Sequence, residues 1–178
     1  MSRRFTNRLT SESLDLPAGE FELEFEGGVT ATPSALTAAL AGISASRIEL
    51  LFAGGSGALG GLQARVRYEL PPGRAYLRKR ISVRQTGGEP RRLLRADLDN
   101  WHGVKQNWDS MHADHLPYAS HPIFCDTLWA GVEFVAAFNE YSREGFVLRS
   151  RPGGRLVGAE WVELLSTVTG VAEPGLVR

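Results

Sequence analysis

Apolar and polar residues alternate with a period of two along most of this chain. In "FELEFEG", Phe21, Leu23 and Phe25 take one face and Glu22, Glu24 and Glu26 the other. That is the mark of a half-buried strand. "RIELLF" repeats it with Ile48, Leu50 and Phe52, and "ARVRYEL" sets Ala64, Val66, Tyr68 and Leu70 against Arg65, Arg67 and Glu69. A "PPGR" turn follows, and "YLRKRISV" then brings Leu77, Ile81 and Val83 to one side. Together the two segments predict a β-hairpin. Lys79 shares that apolar side, where it either approaches a carboxylate or runs its stem past the sheet end. "RRLLRADLDNW" is a further strand, with Leu94, Ala96 and Leu98 opposite Arg95, Asp97 and Asp99.

One segment predicts a helix: "TPSALTAALAG", with Thr32 as cap, Pro33 at the first helical position and Gly42 at the end. From Trp101 to Pro122 no period is visible and His, Asn, Asp and Pro are frequent, which reads as a long loop. Strands are expected again over residues 128–138, 145–150 and 160–169. Short strands punctuated by 20 glycines and 9 prolines predict an all-β fold, an antiparallel β-sandwich with at most one short helix. A chain of 178 residues suits one such domain, residues 1–178.

Composition narrows the functional classes. Lys plus Arg number 20 and so do Asp plus Glu, for a net charge of zero. A nucleic-acid or anionic-membrane binder needs a basic excess, so neither partner is expected. The single cysteine, Cys125, cannot form an intrachain disulfide. "MSRRFTNRLTSES" lacks the apolar stretch of a signal peptide, and no segment is apolar enough for a membrane span. A cytoplasmic location is the resulting expectation.

Several motifs lose their functional reading in context. "GSGALG", residues 55–60, matches the glycine pattern of a dinucleotide-binding turn, but "GLQARVRYEL" after it has period two, so no helix N-terminus can hold pyrophosphate. The acid expected about 20 residues further on is replaced by "AYLRKR". His102, His112, His115 and His121, with Asp109 and Asp114, fall in the long loop without a specific metal spacing. Cys125 lies in apolar "PIFCDTL" and reads as a small buried hydrophobe. No metal, cofactor or catalytic residue is assigned.

The stretch "DTLWAGVEFVAAFNEY" is different. Read as one strand, its even positions from Leu128 to Phe138 are apolar, while Trp129, Glu133 and Asn139 lie on the other face. An aromatic ring stacks on sugar C–H groups, and carboxylates and amides take hydroxyls. Trp129, Glu133 and Asn139, joined by Trp101, Trp108 and Asp109 from the loop, are therefore candidate carbohydrate contacts. The equal alternative is that Glu133 pairs with an arginine.

Three phrases in order, "GLQARVRYELPPGRAYLRKRISVRQTGGEPRRLLRADLDNW", "WAGVEFVAAFNEY" and "GFVLRSRPGGRL…VTGVAEPG", resemble the N-terminal β-supersandwich domain of glycoside hydrolases related to the family 36 α-galactosidases and their clan. The resemblance covers residues 45 to 178. It implies a galactose-mutarotase-like sandwich that precedes a (β/α)₈ barrel bearing the catalytic aspartates. No eightfold βα pattern exists in this chain, and Asp97, Asp99, Asp109, Asp126 and Glu133 are too dispersed to nominate a hydrolytic pair. The expectation is thus a non-catalytic, carbohydrate-associated domain whose partners are carbohydrate and a C-terminal barrel outside this chain. Such a domain should expose an apolar patch where the barrel docks. Two alternatives are a stand-alone mutarotase-like epimerase, using Glu133 with His102 or His112, and an interaction module without sugar affinity.

Overall fold

A computed structural model describes residues 3–7, 12–16, 19–102, 123–125, 128–133, 138–142 and 145–171. Within them the strands are β1 (Arg3–Asn7), β2 (Glu12–Leu16), β3 (Glu22–Phe25), β4 (Val29–Ala31), β5 (Thr37–Ser44), β6 (Arg47–Ala53), β7 (Leu62–Glu69) and β8 (Tyr76–Gln85). They continue with β9 (Arg91–His102), β10 (Ile123–Cys125), β11 (Leu128–Val132), β12 (Phe138–Ser142), β13 (Gly145–Ser150), β14 (Arg155–Leu156), β15 (Val162–Glu163) and β16 (Thr167–Val171). All their pairings are antiparallel.

Two sheets make the predicted all-β sandwich. One has eight strands in the order β10-β11-β16-β8-β7-β6-β5, with β15 also on β8; the other has six, β12-β13-β9-β3-β4, with β14 also on β9. The last strand, β16, lies between β11 and β8 and joins them. The predicted hairpin is β7–β8, in register from Leu62 opposite Gln85 to Glu69 opposite Arg78. Its alternation buries Leu62, Ala64 and Val66 against Ile81 and Val83 on the same side. From the other sheet Phe21, Leu23, Phe25, Leu93, Ala96, Leu98 and Leu148 meet them in one core.

Three local expectations are corrected. The helix over 33–41 is a single 3-10 turn, Pro33–Ala35, and Thr32 makes no side-chain cap. The residues after it form β5 instead, because pairing with β6 satisfies their backbone groups, whereas an isolated helix of that length is marginal. The expected strand over 128–138 is two strands. β11 ends at Val132 in the eight-stranded sheet, and β12 begins at Phe138 in the six-stranded one. In β9, finally, Leu93 is buried and Leu94 exposed. The pairing with β3 shifts there, passing from Arg95 to Leu93, and a second shift beside β13 passes over Leu98. Each extra residue reverses the alternation.

"GSGALG" forms the link between β6 and β7, with a 3-10 turn at Gly57–Leu59 in place of a helix. Just beyond it, Gly61 adopts φ +73°, and a Cβ there would press on the Gly87 backbone. The glycine serves a close approach of two loops, tied by the Thr86 N–H bond to the Gly61 carbonyl (2.7 Å).

The eight-stranded sheet runs on past its partner. β4, the edge of the six-stranded sheet, has three residues, while β5 and β6 have eight and seven. Leu40 faces with Leu50, and Ile43 with Ile48 and Tyr68, in the alternation that buries Phe52 and Val66. Those positions belong to the inner, core-side face. Yet Leu40 is 61% exposed, Ile43 71%, Ile48 42% and, just beyond β7, Leu70 50%.

Candidate functional site

The candidate carbohydrate residues do not form one cluster. Trp129 and Glu133 share the outer face of the eight-stranded sheet, as their alternation with buried Leu128, Ala130 and Val132 requires. Asn139 sits on β12 of the other sheet, opposite Leu148, and its side chain lies outside the described structure. Trp101 points inward and is 1% exposed, part of the core, so its ring offers no face to solvent. Trp108 and Asp109 lie outside the described residues, as do His112, His115, His121, Asp114 and Asp126. His102 and Cys125 are described as strand positions only, the last of β9 and of β10.

Glu133 just follows β11, where its N–H donates to the Ser166 carbonyl at 2.9 Å. Its carboxylate accepts two bonds from Arg78, Nε at 2.8 Å and Nη2 at 2.7 Å, and one from the Ser166 hydroxyl. Partial burial pushes the Glu133 pKa up, but the bonds from Arg78 and Ser166 and the charges of Arg78 and Arg80 outweigh it. The carboxyl is held below its ordinary range. Arg78 is raised in turn, chiefly by the bond to Glu133. This bidentate pair suits a clamp between β11 and β8, and a carboxylate so stabilised is a poor proton acceptor.

Trp129 is also in use. It lies opposite Gly170 on β16, and a Cβ at Gly170 would overlap the indole. The ring covers a glycine whose missing side chain would leave the sheet bare. Further along the same outer face the indole of Trp161 lies over two guanidinium groups, 4.4 Å from Arg65 and 4.3 Å from Arg84. These contacts fix the segment that carries β15 to the sheet.

The most deeply buried charges lie between the sheets. Lys79 Nζ donates to the Leu98 carbonyl at 2.6 Å, to Asp99 Oδ1 at 3.2 Å and to the Glu20 carbonyl. Glu20 Oε2 accepts the Tyr68 hydroxyl, and Asp99 Oδ2 lies 3.5 Å from the Thr167 hydroxyl. Of the two fates open to Lys79, the carboxylate contact is the observed one. Asp97, behind it in β9, takes both Nε (2.5 Å) and Nη2 (3.0 Å) of Arg149 and lies 3.4 Å from Arg95. Alternation placed Asp97 and Asp99 on the wet side; the bulge in β9 and these cations account for their burial. Among the described residues no group of His, Cys, Asp and Glu is placed to hold a metal ion, and no helix is long and apolar enough to cross a membrane.

No protein-family model matches the chain, and no curated protein does. Among solved structures the fold is similar to the GH36 alpha-galactosidase AgaB from Geobacillus stearothermophilus, at 13% sequence identity and a TM-score of 0.50. The match covers 99% of this chain and 32% of that one, so the chain spans about a third of the length of the enzyme it resembles. At such identity the likeness is one of fold. What the fold defines is a class: two-sheet antiparallel β-sandwiches, of which one example is a portion of a glycoside hydrolase.

Proposed function

We propose that this chain is a non-catalytic, carbohydrate-associated β-sandwich domain that supports or flanks a (β/α)₈ catalytic barrel, residues 1–178 forming one domain on its N-terminal side. The observation that carries the reading is the overhang of β5 and β6. Leu40, Ile43, Ile48 and Leu70 sit on a core-side face yet stay exposed among the described residues, and an apolar patch of that kind marks a docking surface. The fold likeness, confined to a third of an α-galactosidase, supports a barrel as what docks.

The charges support the non-catalytic part. A glycosidase needs one carboxyl poised as acid and a second as nucleophile or base. Asp97, Asp99 and Glu133 are each bonded to a cation. An epimerase that used Glu133 as its base would first have to break two arginine bonds.

Two measurements test the reading. The isolated chain should neither hydrolyse an aryl α-galactoside nor interconvert sugar anomers; either activity, lost in Glu133→Gln, overturns the non-catalytic assignment. Reading the transcript past the codon for Arg178 should reveal alternating strands and helices, and a stop codon there overturns the barrel.

A further inference from the structure

We propose that the cleft between the start of β3 and the β5–β6 hairpin binds an uncharged, hydroxyl-bearing ring with one apolar face. The cleft holds a cavity of about 390 Å³, within the range of small-molecule pockets, which are mostly apolar with a few convergent polar groups. Its apolar lining is Pro33, Ala38 and Leu50, backed by the edges of Phe21 and Phe52, whose rings meet edge to face with centroids 5.2 Å apart and planes at 87°. Its mouth carries Thr32, Ser34 and Asn100. The division is that of a ligand whose one side is C–H and whose rim is O–H.

Charge selects further. Among the described residues the ionisable ones lining the cavity are Glu20 and Glu22, so a phosphate or carboxylate meets repulsion and no cation from them. Neither acid calls for a cationic ligand, because Glu22 is bonded to Arg95 and Glu20 faces Lys79 at 3.9 Å. A neutral ligand remains. The hydroxyls of Thr32 and Ser34, 2.9 Å apart, share one hydrogen bond and keep capacity for others, and the Asn100 amide supplies two donors and an acceptor. Groups so placed match neighbouring hydroxyls on a ring. The wall is also fixed beforehand: Lys79 holds the Glu20 carbonyl and Tyr68 its carboxylate, which lowers the ordering cost of binding.

The choice of sugars as first probes rests on the carbohydrate-associated reading, while the site itself rests on the cavity. The test is a ¹H–¹⁵N titration of the whole chain with D-galactose, D-glucose and the anion D-galacturonate. Amides of Phe21, Ser34 and Asn100 should shift with a neutral sugar, and galacturonate should bind at least about tenfold more weakly. Ser34→Trp, on an exposed turn, should abolish the shifts while the rest of the spectrum is unchanged; Asn100→Ala should weaken them about tenfold. Equal binding of the anion, or shifts that survive Ser34→Trp, overturn the site. Shifts confined to residues around Trp129 and Glu133 overturn it too and leave the carbohydrate-associated reading standing. An absence of any shift removes the site, and that reading then depends on the transcript and activity measurements given for it.

Discussion

Lys79 and Asp99 reach each other across the sandwich, from β8 of one sheet and β9 of the other, at 3.2 Å with side chains 3% and 5% exposed. A buried pair of this kind contributes little beyond what a well-packed apolar pair would, but removing one partner strands the other. Lys79→Met should therefore cost about 3–5 kcal/mol, read as a lower urea midpoint with an unchanged slope. A loss below about 1 kcal/mol would mean that water reaches Asp99 and that the pair is not buried.

Glu133 predicts a pH effect with a definite sign. Its pKa is lowered in the folded state, so its contribution is present above the ordinary carboxylate range and is lost as pH falls through the folded value. Glu133→Gln should cost about 0.5 kcal/mol near neutral pH, because the pair is partly solvated. The gap between wild type and variant should then close in acid. A gap that stays constant from neutral to acid pH would remove the pairing as its source.

Gly170 and Trp129 predict a rescue. Gly170→Ala pushes a methyl group into the indole and should cost about 1–3 kcal/mol, the range of overpacking. In the double variant with Trp129→Ala the clash has no second party, so the combined loss should fall short of the sum of the single losses. Strict additivity in thermal or urea unfolding would show that the two residues do not meet.

The overhang gives a prediction of the opposite kind. Leu40→Lys with Ile43→Lys should leave stability within about 0.5 kcal/mol, as exposed substitutions do. It should lower binding of a hydrophobic dye and raise the concentration at which the chain stays dispersed. A large loss of stability would mean that these side chains are packed.

Much of the sandwich was legible because its evidence is local. Phe21, Leu23 and Phe25 alternate with acids, and Leu62, Ala64 and Val66 with polar residues, so each strand announces its buried face. What the period could not carry was sheet membership. Residues 128–138 alternate without a break, yet Val132 and Phe138 belong to different sheets, since alternation within a strand does not say which partner it pairs with. Nor does period two survive a bulge, so Leu93 and Leu94 came out exchanged. At the candidate site, the pairing of Glu133 with an arginine was among the readings the sequence left open, but Arg78 is 55 residues away. Lys79 at an inward position was the visible sign of the buried network. Tyr68 stands opposite Lys79 in the predicted hairpin, but Glu20 and Asp99 reach it through the packing of two sheets, and no spacing encodes them.

The position of β16 has a consequence for synthesis. It stands between β11 and β8, with Thr167 opposite both Val132 and Lys79. A ribosome that has released only the first 160 residues has therefore made a sheet in two pieces. The local ladder β5 to β8 can zip early, while β10 and β11 wait for β16, which joins them to it among the described residues. Closing that gap joins residues almost ninety positions apart, a slow kind of encounter. Until β16 is made, the nascent chain carries two raw strand edges, on β8 and β11, that the finished fold hides.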